Sequence, residues 1–140
     1  MAEQRNSYKG VDSRAWVRIE LVASDGSRAQ LEVIADTGCP FDLIVDVATI
    51  TRFADSAITR LGSTYGALIG GWVDVFIKEL GLNARVLAYG NDPLVQEVKV
   101  DSTDFAGLVG LPFLRMMEYG GNIDWFWIRL AQASGTSVQP

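Results

Sequence analysis

Apolar and polar residues alternate with a period of two over much of this chain, and that period belongs to half-buried β-strands. Val17, Ile19 and Leu21 alternate with Trp16, Arg18, Glu20 and Val22. Ser24-Asp25-Gly26-Ser27 follows, and its Asp-Gly pair supplies the positive φ that a tight hairpin turn needs. Residues 31–35 form the returning strand and run straight into the tight connection Asp36-Thr37-Gly38-Cys39-Pro40. Residues 41–45 are apolar enough for another strand. Residues 46–53 fit a short helix with Asp46 as N-cap, although its threonines are weak helix formers.

Glycines 62, 66, 70 and 71 punctuate residues 57–76, a spacing that suits a mobile hairpin better than a helix. Strands are expected at 72–77 and 84–89, and a third, alternating one at 94–100. Turns are expected at Gly81-Leu82-Asn83 and Gly90-Asn91-Asp92-Pro93. Gly107-Leu108-Val109-Gly110 reads as a short buried run between glycines. Pro112 suits the first turn of a helix through Met116, which Gly120-Gly121 would end. Residues 123–130 close the chain as an aromatic strand or hairpin. Many short strands with one or two short helices indicate an all-β domain, a small barrel or sandwich. Its span is 14–131, between a polar segment 1–13, loose or used at an interface, and a small polar flexible tail at 132–140. A chain of 140 residues fits a single domain and can bury a core without staples.

Composition removes several kinds of chemistry. Hydrophobic residues make up 49% and charged residues 21%, a balance that argues against disorder. Net charge is -5, from 17 acidic and 12 basic side chains. The basic residues stand singly, as at Arg14, Arg18, Arg28 and Arg52, so no stripe can neutralise a row of phosphates and nucleic acid is not an expected partner. An acidic surface is likewise repelled by anionic lipid. With one cysteine, Cys39, no disulfide can form within the chain. With no histidine, Ser-His and Cys-His nucleophiles and most zinc sites are excluded. Asp101-Ser102-Thr103-Asp104 lacks the further oxygen ligands of a metal loop and reads as a solvated turn. Residues 1–7 carry no apolar stretch and no apolar run reaches membrane-spanning length, so a cytoplasmic address and no membrane association are expected.

The candidate chemistry lies at Ala35-Asp36-Thr37-Gly38, preceded by Val33-Ile34 and followed by Leu43-Ile44-Val45. Downstream stands Leu108-Val109-Gly110-Leu111-Pro112-Phe113-Leu114, then Gly120-Gly121-Asn122-Ile123-Asp124-Trp125. In order and spacing these three segments, over roughly residues 15–130, resemble the retropepsin-like aspartic proteases, and more closely the small stand-alone bacterial members of that clan. The resemblance implies a retropepsin-like closed barrel and a homodimer, because each chain of the family supplies one Asp-Thr-Gly loop. It implies that Asp36 and its symmetry mate share a proton, that the ionised carboxylate activates a water, and that the protonated one hydrogen-bonds the scissile carbonyl. No metal or cofactor is needed. Thr37 would bridge the twofold axis, and Gly38 would let the backbone approach the carboxylates in dihedrals other residues resist. Leu108, Val109 and Gly110 would cross beneath the loop and support it. The glycine-rich hairpin would be a flap, with Tyr65, Gly66, Ala67 and Leu68 at its tip over a peptide bound as an added strand. Better-known relatives carry Ala or Ser after the glycine; here Cys39-Pro40 stands, and proline lacks an amide donor.

Plainer readings exist for each feature. Asp36 can be a turn aspartate capping the amides that follow it. Cys39 without a histidine is a small buried hydrophobe. Trp125-Phe126-Trp127 is core or dimer interface before it is a stacking platform. Asp92 and Asp124 read as surface or turn carboxylates, whereas Asp42 and Asp46 lie near enough to Asp36 to line a subsite. An inactive peptide-binding or assembly module with the same fold is the alternative to an endopeptidase.

Overall fold

In a computed structural model that describes residues 5–10, 14–55, 59–63, 66–101 and 105–131, the period-two segments become strands. In chain order the elements are β1 (Arg5–Lys9), β2 (Trp16–Val22), β3 (Arg28–Asp36), β4 (Leu43–Val45), α1 (Val47–Phe53), β5 (Thr59–Ser63), β6 (Gly66–Ile77), a single 3₁₀ turn (Lys78–Leu80), β7 (Leu82–Gly90), α2 (Asp92–Asp101), β8 (Leu108–Gly110), α3 (Leu111–Leu114), β9 (Glu118–Gly121) and β10 (Trp125–Arg129).

Six strands close into a barrel in the order β2-β3-β8-β4-β7-β6, with β6 returning to pair with β2. Closure leaves no edge among these six, and β5 is added outside as the partner of β6. The pairings β3–β8 and β4–β7 are parallel, whereas β2–β3, β4–β8, β6–β7 and β2–β6 are antiparallel. The inward residues of β2 (Val17, Ile19 and Leu21) are at most 1% exposed. Each such burial contributes about 1.5–3 kcal/mol relative to an exposed side chain. Facing them are Leu43 and the β-branched Val33, Val45, Val73, Val75, Val86 and Val109, a side-chain type that a pleated surface packs well. Gly26 sits at φ 87 in the β2–β3 turn, as Asp-Gly requires.

A second sheet, β1-β10-β9, rests on the barrel. It inserts Tyr8, Phe126 and Ile128 into the same core, with Tyr8 4.6 Å from Trp16 between ring centroids. Residues 5–9 of the N-terminal segment thus form a strand of this sheet.

Three expectations change. Residues 94–100 are not a strand: they lie in α2, where Val95 and Val98 turn one face inward. Asn91 is not simply a turn residue but the cap of that helix, its side-chain oxygen accepting the Leu94 amide at 2.9 Å. Gly120-Gly121 does not stop a helix. α3 ends at Leu114 and the glycines lie in β9, where a Cβ on Gly120 would meet Trp127 Cζ2 at 2.7 Å. The described residues therefore hold three α-helices where one or two were expected, within a mostly β architecture. Among the described residues no helix is long and apolar enough to cross a membrane.

Candidate active site

The site is assembled where β3 ends. Ile34, Ala35 and Asp36 run parallel to Leu108, Val109 and Gly110, one opposite the other. Asp36 is exposed at that end, and its Oδ1 accepts the Gly38 amide at 2.9 Å. The Cys39 amide donates to the Asp36 carbonyl at 3.0 Å, which turns the chain back towards β4.

β8 threads between the two strands that this loop joins, and the loop backbone lies directly on its end. The Gly110 amide donates to the Asp42 carbonyl at 3.1 Å, and the Leu111 amide to the Cys39 carbonyl at 3.0 Å. A Cβ on Gly110 would stand 2.0 Å from the Phe41 carbonyl oxygen and 2.5 Å from that of Cys39. A Cβ on Gly107 would stand 2.1 Å from the Ile44 carbonyl oxygen. Both glycines are required by close approach, since neither has a positive φ. Gly38 has no positive φ either, so its expected special dihedrals are corrected. Its contribution is the amide offered to Asp36, with room for a Cβ only 3.2 Å from Oδ1.

Beside Asp36 opens a small recess of about 70 Å³, lined by Asp36, Gly38, Cys39, Ile44, Leu94 and Leu108. The Cys39 thiol is buried and points to the Phe41 carbonyl oxygen at 3.7 Å. Burial pushes this thiol up, outweighing the contact with Phe41, and the carboxylates of Asp36 and Asp42 push the same way. It stays protonated at neutral pH and is no nucleophile.

Burial also raises the Asp42 carboxyl above its ordinary range. A carboxyl raised on folding destabilises the folded state once ionised. The penalty is absent below the unfolded value and fully present above the folded one. Asp42→Asn is therefore expected to melt higher than the wild type at neutral pH and to match it near pH 3, about a unit below an ordinary aspartate. Melting curves across pH read this directly. A lower melting temperature at neutral pH would mean that the carboxylate holds a stabilising partner.

The other expected site residues fall as follows. Thr37 is exposed beside Asp36. Val109 is fully buried in the barrel core and Leu108 half-buried at the recess. Tyr65 lies outside the described residues. Gly66 and Ala67 begin β6, opposite Ser63 and Gly62 of β5. Leu68 is fully buried and has no surface to offer a peptide in this conformation. The Asp46 carboxylate is committed to the Thr49 amide at 2.8 Å, capping α1 as expected. Asp92 accepts the Val47 amide at 2.9 Å and so ties α2 to α1. Leu94 and Ile44 were not foreseen at the site. The signal for Leu94 was present in Asn91-Asp92-Pro93, which is a helix start as readily as a turn.

A larger open groove of about 370 Å³ lies elsewhere, lined by Val22, Arg28, Asp74, Asn83, Ala84 and Arg85. Its guanidinium groups are already matched by carboxylates. Arg28 faces Glu20, and Arg85 binds Asp55 through two nitrogens, with Asp74 at 3.5 Å. Hydrogen bonding to Arg85 holds the exposed Asp55 carboxyl below its usual value. Among the described residues no group of three or more Cys, Asp or Glu side chains could hold a metal ion. Neither a scan of the chain against protein-family models nor a search of curated proteins finds a match.

Proposed function

We propose that this chain is a retropepsin-like aspartic endopeptidase whose catalytic pair is Asp36 from each of two copies. The observation that carries the reading is the seating of the Asp36 loop. It joins β3 to β4 across β8, rests on Gly110 without a Cβ between them, and leaves the Asp36 carboxylate exposed at the barrel's end. A carboxylate so displayed can meet its twin across a twofold axis. Two such groups a few Å apart hold one proton between them and titrate as a unit. The ionised member takes a proton from water as the oxygen attacks the scissile carbonyl carbon. The protonated member donates a hydrogen bond to the carbonyl oxygen as charge builds there. An extended peptide would add as a strand beside the β5–β6 hairpin, its side chains filling alternate recesses.

A twofold partner also has an apolar surface available. Trp125 is 47% exposed and Leu130 44%, and Trp127 shares the outward face of β10 with Trp125, while Phe126 and Ile128 fill the core. Sedimentation equilibrium tests the reading. A dimer is expected, and a strict monomer well above micromolar concentration, where stable specific dimers persist, contradicts it.

A non-catalytic peptide-binding module is favoured by one observation. The bond from Gly38 to Asp36 Oδ1 closes an ordinary Asx turn, which needs no second copy. The Asp36 variant considered in the Discussion separates the two.

A further inference from the structure

We propose that α2 sets the side-chain preference of the site. The recess beside Asp36 takes a small aliphatic side chain, alanine to valine in size, next to the scissile bond, and Leu94 excludes larger ones. This rests on the protease reading above and adds to it a substrate class and a residue that determines it.

The walls of the recess are fixed. Ile44 and Leu108 sit opposite each other in the β4–β8 pairing and make its strand side. Ile44 is 2% exposed and Cys39 6%, so neither has slack to retreat. Leu94, in the first turn of α2, makes the remaining wall. That turn is tied down twice: the Leu94 amide donates to the Asn91 side chain at 2.9 Å, and the Asn91 amide donates to the Val45 carbonyl at 2.9 Å. Val95 and Val98, 2% and 7% exposed, anchor the same helix in the interior.

Apart from the Asp36 carboxylate, the side chains lining the recess are aliphatic or a protonated thiol, so it suits an apolar group. Its volume of about 70 Å³ is roughly half of the ~150 Å³ that lets an apolar protein cavity hold benzene. An isopropyl group fits that space, whereas a benzyl group has to displace Leu94 or stay outside.

The test uses peptides carrying Ala, Val, Leu or Phe before the scissile bond. A matching set replaces that amide by an uncleavable hydroxyethylene. Both sets are offered to the wild type and to Leu94→Ala, a half-buried position whose backbone hydrogen bond survives the change. For the wild type, kcat/KM with Val is expected to exceed that with Phe by at least about tenfold, the scale of discrimination by a tight apolar pocket. Leu94→Ala should raise the Phe peptide about tenfold relative to the Ala peptide, lowering the Val-to-Phe ratio. The Kd values of the hydroxyethylene peptides should follow the same order. A wild-type preference for Phe, or a Val-to-Phe ratio unmoved by Leu94→Ala, overturns the proposal. If the wild type cleaves nothing, the protease reading falls. The hydroxyethylene peptides then still decide the recess: tighter binding of Val than Phe, relaxed by Leu94→Ala, upholds it, and equal binding overturns it.

Discussion

Asp36→Asn is expected to abolish peptide cleavage and leave the fold intact. Asparagine matches aspartate in shape and keeps a side-chain oxygen to accept the Gly38 amide. Asp36 is exposed, so the change should move stability by no more than about 0.5 kcal/mol. On the proposed mechanism it nonetheless removes the group that takes the proton from water, a contribution of about 10²–10⁴ in rate for one positioned base. Because the substitution falls on both copies, kcat/KM should drop by at least about 10³-fold. The loss should fall on kcat more than on KM, since asparagine keeps the shape of the recess wall that Asp36 supplies. Cleavage of a peptide library by the two proteins, compared at matched melting temperature, measures this. Equal cleavage by both would mean that Asp36 only closes its turn.

Gly110→Ala should give the largest loss of stability. The added methyl would stand 2.0 Å from one loop carbonyl oxygen and 2.5 Å from another, far inside any real contact. Neither obstacle is a side-chain tip that can swing away; both are backbone, in the segment that carries Asp36 into β4. Relief therefore means lifting residues 39–42 off β8 and breaking the hydrogen bonds from Gly110 to Asp42 and from Leu111 to Cys39. Overpacking and two lost bonds together amount to about 3–5 kcal/mol, a fall of more than about 10 °C in Tm for a domain of this size. Thermal unfolding of the variant decides it. A Tm within about two degrees of the wild type would mean that the loop does not rest on Gly110.

Much of this was legible in the sequence where the signal was local. The β2–β3 hairpin could be read from alternation and one Asp-Gly pair, and Asp46 from its place before an apolar turn. The strand pattern left barrel and sandwich open, and only the resemblance implied closure; the pairings that close the barrel, Glu20 with Phe76 and Leu21 with Val75, are ones that no local period announces. β6 runs back to Gly66, beyond the expected start at Trp72, because Gly70 and Gly71 lie opposite Tyr89 and Ala88 within a ladder. The glycines there lie within the ladder and do not break it. α2 was lost to an ambiguity of period: Leu94, Val95 and Val98 fit either element in so short a window. Missing the helix meant missing the wall it contributes to the site. The Asp36 loop and Gly110 were legible as segments. That the loop lies on Gly110 with no space for a methyl group is a property of the packed molecule only.

Mixing wild type with Asp36→Asn at fixed total concentration tests most directly whether one carboxylate needs its twin. If each active unit requires Asp36 from both copies, an equal mixture at equilibrium contains about one wild-type pair in four and should retain about a quarter of the activity. Activity that instead falls in simple proportion, to about a half, would mean that each copy works alone and would contradict the shared site.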